Sequence, residues 1–125
     1  MSMQPTSTNF TTPHRYGYCR NGFGGYRIKS LMFDSPLPLD TAISEISADT
    51  TMTDMLGCYR YFNNKTLNRI QSDLLKDNYL KNLQVTGMID YGQTALVFET
   101  TDGDILKITN REHFLGRSPQ EFDIP

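Results

Sequence analysis

Apolar and polar positions recur with a period of two at both ends of this chain and with a helical period in the middle. His14 to Phe33 reads HRYGYCRNGFGGYRIKSLMF, in which Tyr16 and Tyr18 alternate with smaller residues. Asn21-Gly22 is a tight-turn dipeptide, and Tyr26, Ile28 and Ser30 resume the alternation beyond it. This pattern predicts a β-hairpin, and Gly17, Gly22, Gly24 and Gly25 argue against a regular ladder within it. In Ser35-Pro36-Leu37-Pro38-Leu39 each proline pushes the preceding residue out of the helical region. Asp40 is placed to cap a helix running through Ser47, with Ile43 and Ile46 on one face. Ala48 to Thr53 is poor in helix formers and reads as a loop, and the apolar, aromatic run Met55 to Phe62 as a strand.

After the turn signal Asn63-Asn64, Leu67, Ile70, Leu74 and Leu75, with Tyr79, Leu80 and Leu83 beyond, form a broad apolar stripe at helical spacing. Lys65, Arg69, Asp73 and Lys76 fall on the opposite side, Thr66 or Asn64 supplies the cap, and Asn82 the end. Three strands follow over 84–89, 94–99 and 104–109. The last two are joined across Thr101-Asp102-Gly103, where glycine tolerates the positive φ of a tight hairpin. The fold class expected is α+β: a small antiparallel sheet, the C-terminal three-stranded meander, packed on one main helix at about 65–82. There is neither an internal repeat nor a heptad array.

The chain has 125 residues, the length of one domain. Residues 1–13 are almost all small or polar, carry no charged side chain and read as a flexible tail, leaving 14–125 as a single α+β domain with one modest core. No apolar run is long enough for a membrane-spanning helix, and no export signal opens the chain. The expectation is therefore a soluble cytoplasmic protein with no membrane partner. Cys19 and Cys58 lack a Cys-x-x-Cys spacing and read as reduced thiols. The net charge of −2 resolves into blocks. Arg15, Arg20, Arg27 and Lys29 precede any acid, and Asp34, Asp40, Glu45, Asp49 and Asp54 then follow without a base. Residues 58–83 are basic again and 84–125 acidic, so the blocks either complement one another or present separate faces.

Candidate chemistry concentrates in Gly87 to Thr109, GMIDYGQTALVFETTDGDILKIT. Parity places Ala95, Val97 and Glu99 on one face of their strand and Ile105, Lys107 and Thr109 on one face of theirs. A register that joins the two faces sets an apolar lid beside an ammonium group, an arrangement suited to a purine and its phosphates. The segment resembles the N-terminal lobe of the protein-kinase-like superfamily. On that resemblance Gly92 is the middle glycine of the glycine-rich loop, Val97 its valine and Lys107 the phosphate-pairing lysine of the third strand. Ala95 replaces the third glycine and Asp90 stands where the first would be. Glu121, on a helix started by Ser118-Pro119-Gln120-Glu121, is then the lysine's carboxylate partner. The resemblance covers about residues 83–125. The family's catalytic loop with its base, its metal-binding Asn and its metal-binding Asp have no counterpart in this sequence, so catalytic residues are not assigned.

A second site of interest is 14–29, where Arg15, Arg20, Arg27 and Lys29 interleave with Tyr16, Tyr18, Phe23 and Tyr26. Such residues attract a phosphate backbone and stack on unpaired bases, although the whole chain is acidic and no nucleic-acid signature is present. His14 and His113 stand apart from each other and from the cysteines and read as surface residues, with no metal site. Glu112 and Glu121 read as surface carboxylates when the resemblance is set aside. The leading expectation is a cytosolic protein-interaction module, resembling an incomplete kinase first lobe, without autonomous catalysis or a resident cofactor. The alternative is the nucleotide-binding component of a split kinase-like phosphotransferase, with ATP and Mg held at Gly92, Ala95, Val97, Lys107 and Glu121. A third reading is single-stranded nucleic-acid binding through 14–29.

Overall fold

The structure, a computed structural model, describes residues 13–58, 62–92 and 94–109, and for the backbone alone 113–116. Strands β1 (His14–Arg20) and β2 (Tyr26–Pro38) are followed by helices α1 (Leu39–Ala48), α2 (Thr50–Gly57), α3 (Asn64–Leu74) and α4 (Asn78–Lys81). Strands β3 (Gln84–Tyr91), β4 (Ala95–Thr100), β5 (Ile105–Thr109) and β6 (His113–Gly116) complete the order. All six strands lie in one antiparallel sheet in chain order, β1 to β6. The α+β class stands. The sheet is larger than the expected three-stranded meander because β2 pairs with β3 (Leu31 with Met88, Pro38 with Gln84) and so joins the N-terminal hairpin to it.

The four helices form one insertion between β2 and β3. Its ends meet where the Leu39 N–H donates to the Leu83 carbonyl at 2.8 Å. Leu31, Phe33, Val85, Met88, Leu96, Phe98, Leu106 and Ile108 of the sheet and Leu39, Ile43, Ile46, Met52, Leu56, Leu67, Ile70 and Leu74 of the helices make one buried cluster. The helices thus cover one face of the sheet, which is how a single-sided sheet buries its apolar side.

Several expectations change. The main helix over 65–82 is two helices. Residues 75–77 break it, and Asp77 recaps the chain by accepting from the Tyr79 and Leu80 N–H groups. The cap of α3 is Asn63, which accepts from the Thr66 N–H at 2.9 Å, in place of Asn64 or Thr66. Helix α1 starts at Leu39 after Pro38 without a side-chain cap, and Asp40 lies inside its first turn. The loop expected at 48–53 is the junction of α1 and α2, and the strand expected over 55–62 is helical over 55–57, the end of α2, with 59–61 outside the described residues. Asp49 creates that helix by accepting from the Met52 N–H at 3.1 Å, so a buried cap overrides the weak propensity of the threonines.

The N-terminal hairpin turns over five residues, not at Asn21-Gly22 alone. The Asn21 N–H donates to the Gly25 carbonyl, the Asn21 Oδ1 accepts from the Phe23 and Gly25 N–H groups, and Gly24 takes φ 84°. A bulge at Gly17/Tyr18 resets its register. At the other end, the hairpin Thr101-Asp102-Gly103 is as the sequence predicts. Gly103 has φ 83°, and the buried Thr100 hydroxyl accepts from the Asp104 N–H.

Candidate functional site

Three places carry grouped polar chemistry. The first is the sheet face turned away from the helices. Register pairs Ala95 with Thr109, Val97 with Lys107 and Glu99 with Ile105, and cross-strand partners share a face. Leu96, Phe98, Leu106 and Ile108 point into the helix-covered core. Val97 and Lys107 are therefore neighbours on the other face, both half-buried. Asp90 lies on the far side of Val97 in the same row, which sets the Asp90 and Lys107 backbones about two strand spacings, roughly 10 Å, apart. The Thr86 hydroxyl donates to the Glu99 carboxylate at 3.0 Å one row away. Gly92 sits in the tight connection from β3 to β4, where its N–H donates to the Ala95 carbonyl at 2.9 Å. Of the residues assigned to a nucleotide, Gly92, Ala95, Val97 and Lys107 therefore come together. Glu121, like Glu112 and the Ser118 helix start, lies outside the described residues, as does the His113 side chain.

The second place is buried. Tyr16 and His14 pair with Leu31 and Phe33 and so face the helices. The Tyr16 hydroxyl donates to the Asp49 carboxylate, and His14 Nε2 lies 3.7 Å from the same oxygen. The His14 and Tyr16 rings meet edge to face, with centroids 5.1 Å apart. Asp49 is fully buried. Burial first, and then the hydrogen bond and charge of Asp49, hold the Tyr16 phenol well above its usual range, and a hydrogen bond to Thr51 opposes part of the shift. His14 is thus no surface residue: its side chain is 10 % exposed. Tyr16 is likewise withdrawn from the nucleic-acid set. No local sequence signal marks this cluster, because Asp49 lies more than thirty positions from His14 and Tyr16.

The third place is the free end of the β1–β2 hairpin. Pairing of β2 with β3 begins at Leu31, so the stretch from Tyr26 to Ser30 pairs only with β1. Phe23 is 98 % exposed, Tyr26 66 % and Tyr18 62 %. Arg20 and Tyr26 are register partners, and the guanidinium lies 5.8 Å from the ring centroid. The remaining residues of 14–29 divide. Lys29 is exposed, Arg15 approaches Asp34 at 3.6 Å, and Arg27 is half-buried over the Tyr91 ring at 5.8 Å. Phe23, in the turn itself, is the most exposed of these aromatics.

Among the described residues Cys19 and Cys58 are free thiols, no group of three or more His, Cys, Asp or Glu is arranged to hold a metal ion, and no helix is long and apolar enough to cross a membrane. Comparison with protein-family models, with curated proteins and with solved structures found no match.

Proposed function

We propose that this chain is a protein-interaction module that presents the helix-free face of its sheet to a protein partner. The observation that carries the reading is the pairing of Val97 with Lys107 on that face, between Asp90 and β6. An apolar side chain flanked by both signs of charge is the mixed chemistry of a non-obligate interface, in which an apolar centre is ringed by polar groups. The test is native mass measurement of the chain with extract from its own cell, followed by amide-shift mapping of the purified complex. A stable heteromeric complex with shifts centred on 95–109, lost in Val97→Asp, is expected. A strict monomer throughout counts against the reading.

A second reading takes the same pair as a nucleotide site, with Val97 against a purine and Lys107 toward its phosphates. Gly92, Ala95, Val97 and Lys107 fit such a group in placement, whereas the Asp90 carboxylate opposes phosphate charge. Bound Mg-ATP would supply the phosphoryl group, and this chain's own part would be to bind and orient it. Titration with Mg-ATP while following the amides of residues 90–109 separates the two readings. Saturable shifts abolished by Lys107→Ala support the nucleotide, and no shift at millimolar concentration removes it. Fold likeness alone decides neither.

A further inference from the structure

We infer that the free end of the β1–β2 hairpin is a binding site for single-stranded nucleic acid, formed by Tyr18, Arg20, Phe23, Tyr26 and Lys29. The site lies apart from the sheet face of β3 to β5 and does not depend on what that face binds. Three aromatic rings stand exposed on one hairpin, Tyr18 on β1, Phe23 in the turn and Tyr26 on β2. An exposed large aromatic forgoes the stabilisation of burial, so three together on one projecting element point to a ligand. The two tyrosines share a face: Tyr18 pairs with Ile28 and Arg20 with Tyr26, which makes Tyr18 and Tyr26 diagonal neighbours. Their π-faces and that of Phe23 are suited to successive unpaired bases, which stack on aromatics whatever their identity.

Charge selects the partner. Residues 13–33 contain Arg15, Arg20, Arg27 and Lys29 and no carboxylate, although the whole chain is acidic. Arg15 lies beside Asp34, outside the free end, and Arg27 is half-buried over the Tyr91 ring, so the exposed cations of the free end are Lys29 and Arg20, the latter already over the Tyr26 ring. Two cations beside three π-faces match a phosphate backbone with splayed bases better than a flat duplex, whose bases are stacked on one another. The turn is also organised in advance. Asn21 ties the loop through its own N–H and through Oδ1, and Gly24 supplies the positive φ. Little ordering entropy is then left for binding to cost. The withdrawal of Tyr16 toward Asp49 fixes the inner limit of the site.

Fluorescence anisotropy of the full chain against labelled oligothymidylate, oligouridylate and a duplex of the same length tests this. Expected is binding of both single strands in preference to the duplex. The logarithm of the affinity should fall with the logarithm of salt at a slope of about −1.4, two phosphates at roughly −0.7 each. Phe23→Ala and Tyr18→Ala should each weaken binding roughly tenfold and leave thermal unfolding unchanged, and amide shifts should cluster in 18–29. Failure to bind any single strand, equal binding of the duplex, or undiminished affinity in Phe23→Ala with Tyr18→Ala overturns the inference. So does tighter binding of a polyglutamate peptide, which would make the cations a protein-docking feature. None of these outcomes bears on residues 90–109, whose shifts with a protein partner or with Mg-ATP report the other face.

Discussion

Asp49 does two jobs with one carboxylate. One oxygen caps α2 through the Met52 N–H, and the other accepts from the Tyr16 hydroxyl with His14 beside it. Loss of a cap costs about 1 kcal/mol, and a buried hydroxyl left without its acceptor costs roughly 1–3 kcal/mol more. Asp49→Ala should therefore lower stability by about 2–4 kcal/mol in urea unfolding. Asp49→Asn, which keeps the capping oxygen, should lose roughly half as much. An Asp49→Asn variant as stable as the native chain would show that the contact to Tyr16 contributes nothing. The same contact gives a pH dependence. The folded phenol holds its proton more tightly than the unfolded one, for which the pKa is about 10. The native state therefore binds more protons in alkali. The contribution is complete below about pH 10 and is lost as pH rises above it. Tyr16→Phe should flatten the alkaline limb of stability against pH, as followed by urea midpoints across that range.

The elements are joined at one tight crossing, where β2 meets β3. A Cβ at Gly87 would lie 2.5 Å from the Leu31 carbonyl oxygen and 2.8 Å from the Met32 Cα, both backbone atoms that cannot swing away. Gly87→Ala must push the two strands apart and should cost about 1–3 kcal/mol, the range for overpacking. At Gly92 no atom lies within 4 Å of such a Cβ, so Gly92→Ala should stay within about 0.5 kcal/mol. Paired unfolding curves check the contrast, and a neutral Gly87→Ala would refute the close approach. This crossing also marks what was legible in the sequence. Strands β3 to β5 were readable because alternation, Asp102-Gly103 and parity are local; parity left it to the register to join the faces of Val97 and Lys107, and the register does so. The continuation of the sheet through β2 was not, because two prolines and a bulge between Met32 and Leu37 disguise the strand. Helix α2 was hidden for a different reason: its threonines are weak helix formers, and the burial of its cap, Asp49, against Tyr16, thirty-three positions away, leaves no local mark. The break between α3 and α4 lies inside an unbroken apolar stripe, which tells of a buried face and not of the backbone that carries it.

On the scale of the whole molecule, the helices are an insertion whose removal leaves a topologically complete sheet. Leu37 pairs with Val85 and Pro38 with Gln84, so the strands on either side of the insertion are already a hairpin pair. Joining residue 39 to residue 83 by a short Asn-Gly turn would give a six-stranded meander with every ladder intact. Two opposite outcomes are conceivable on local grounds. Meanders are built from local contacts and form quickly, and the described turns from β1 to β2, β3 to β4 and β4 to β5 keep their own hydrogen bonds. Against this stands the face that the helices cover. Leu31, Phe33, Met88, Leu96, Phe98, Leu106 and Ile108 are all buried, several to zero exposure, and at about 1.5–3 kcal/mol for each large side chain the loss exceeds the net stability of a small domain. Burial wins. The shortened chain should show no cooperative thermal transition, bind a hydrophobic dye and associate, since a one-sided sheet with an uncovered apolar face has no independent stability. A monomeric, cooperatively folding product would show that the sheet stands without its helices and that the helical layer has a role other than supplying the core.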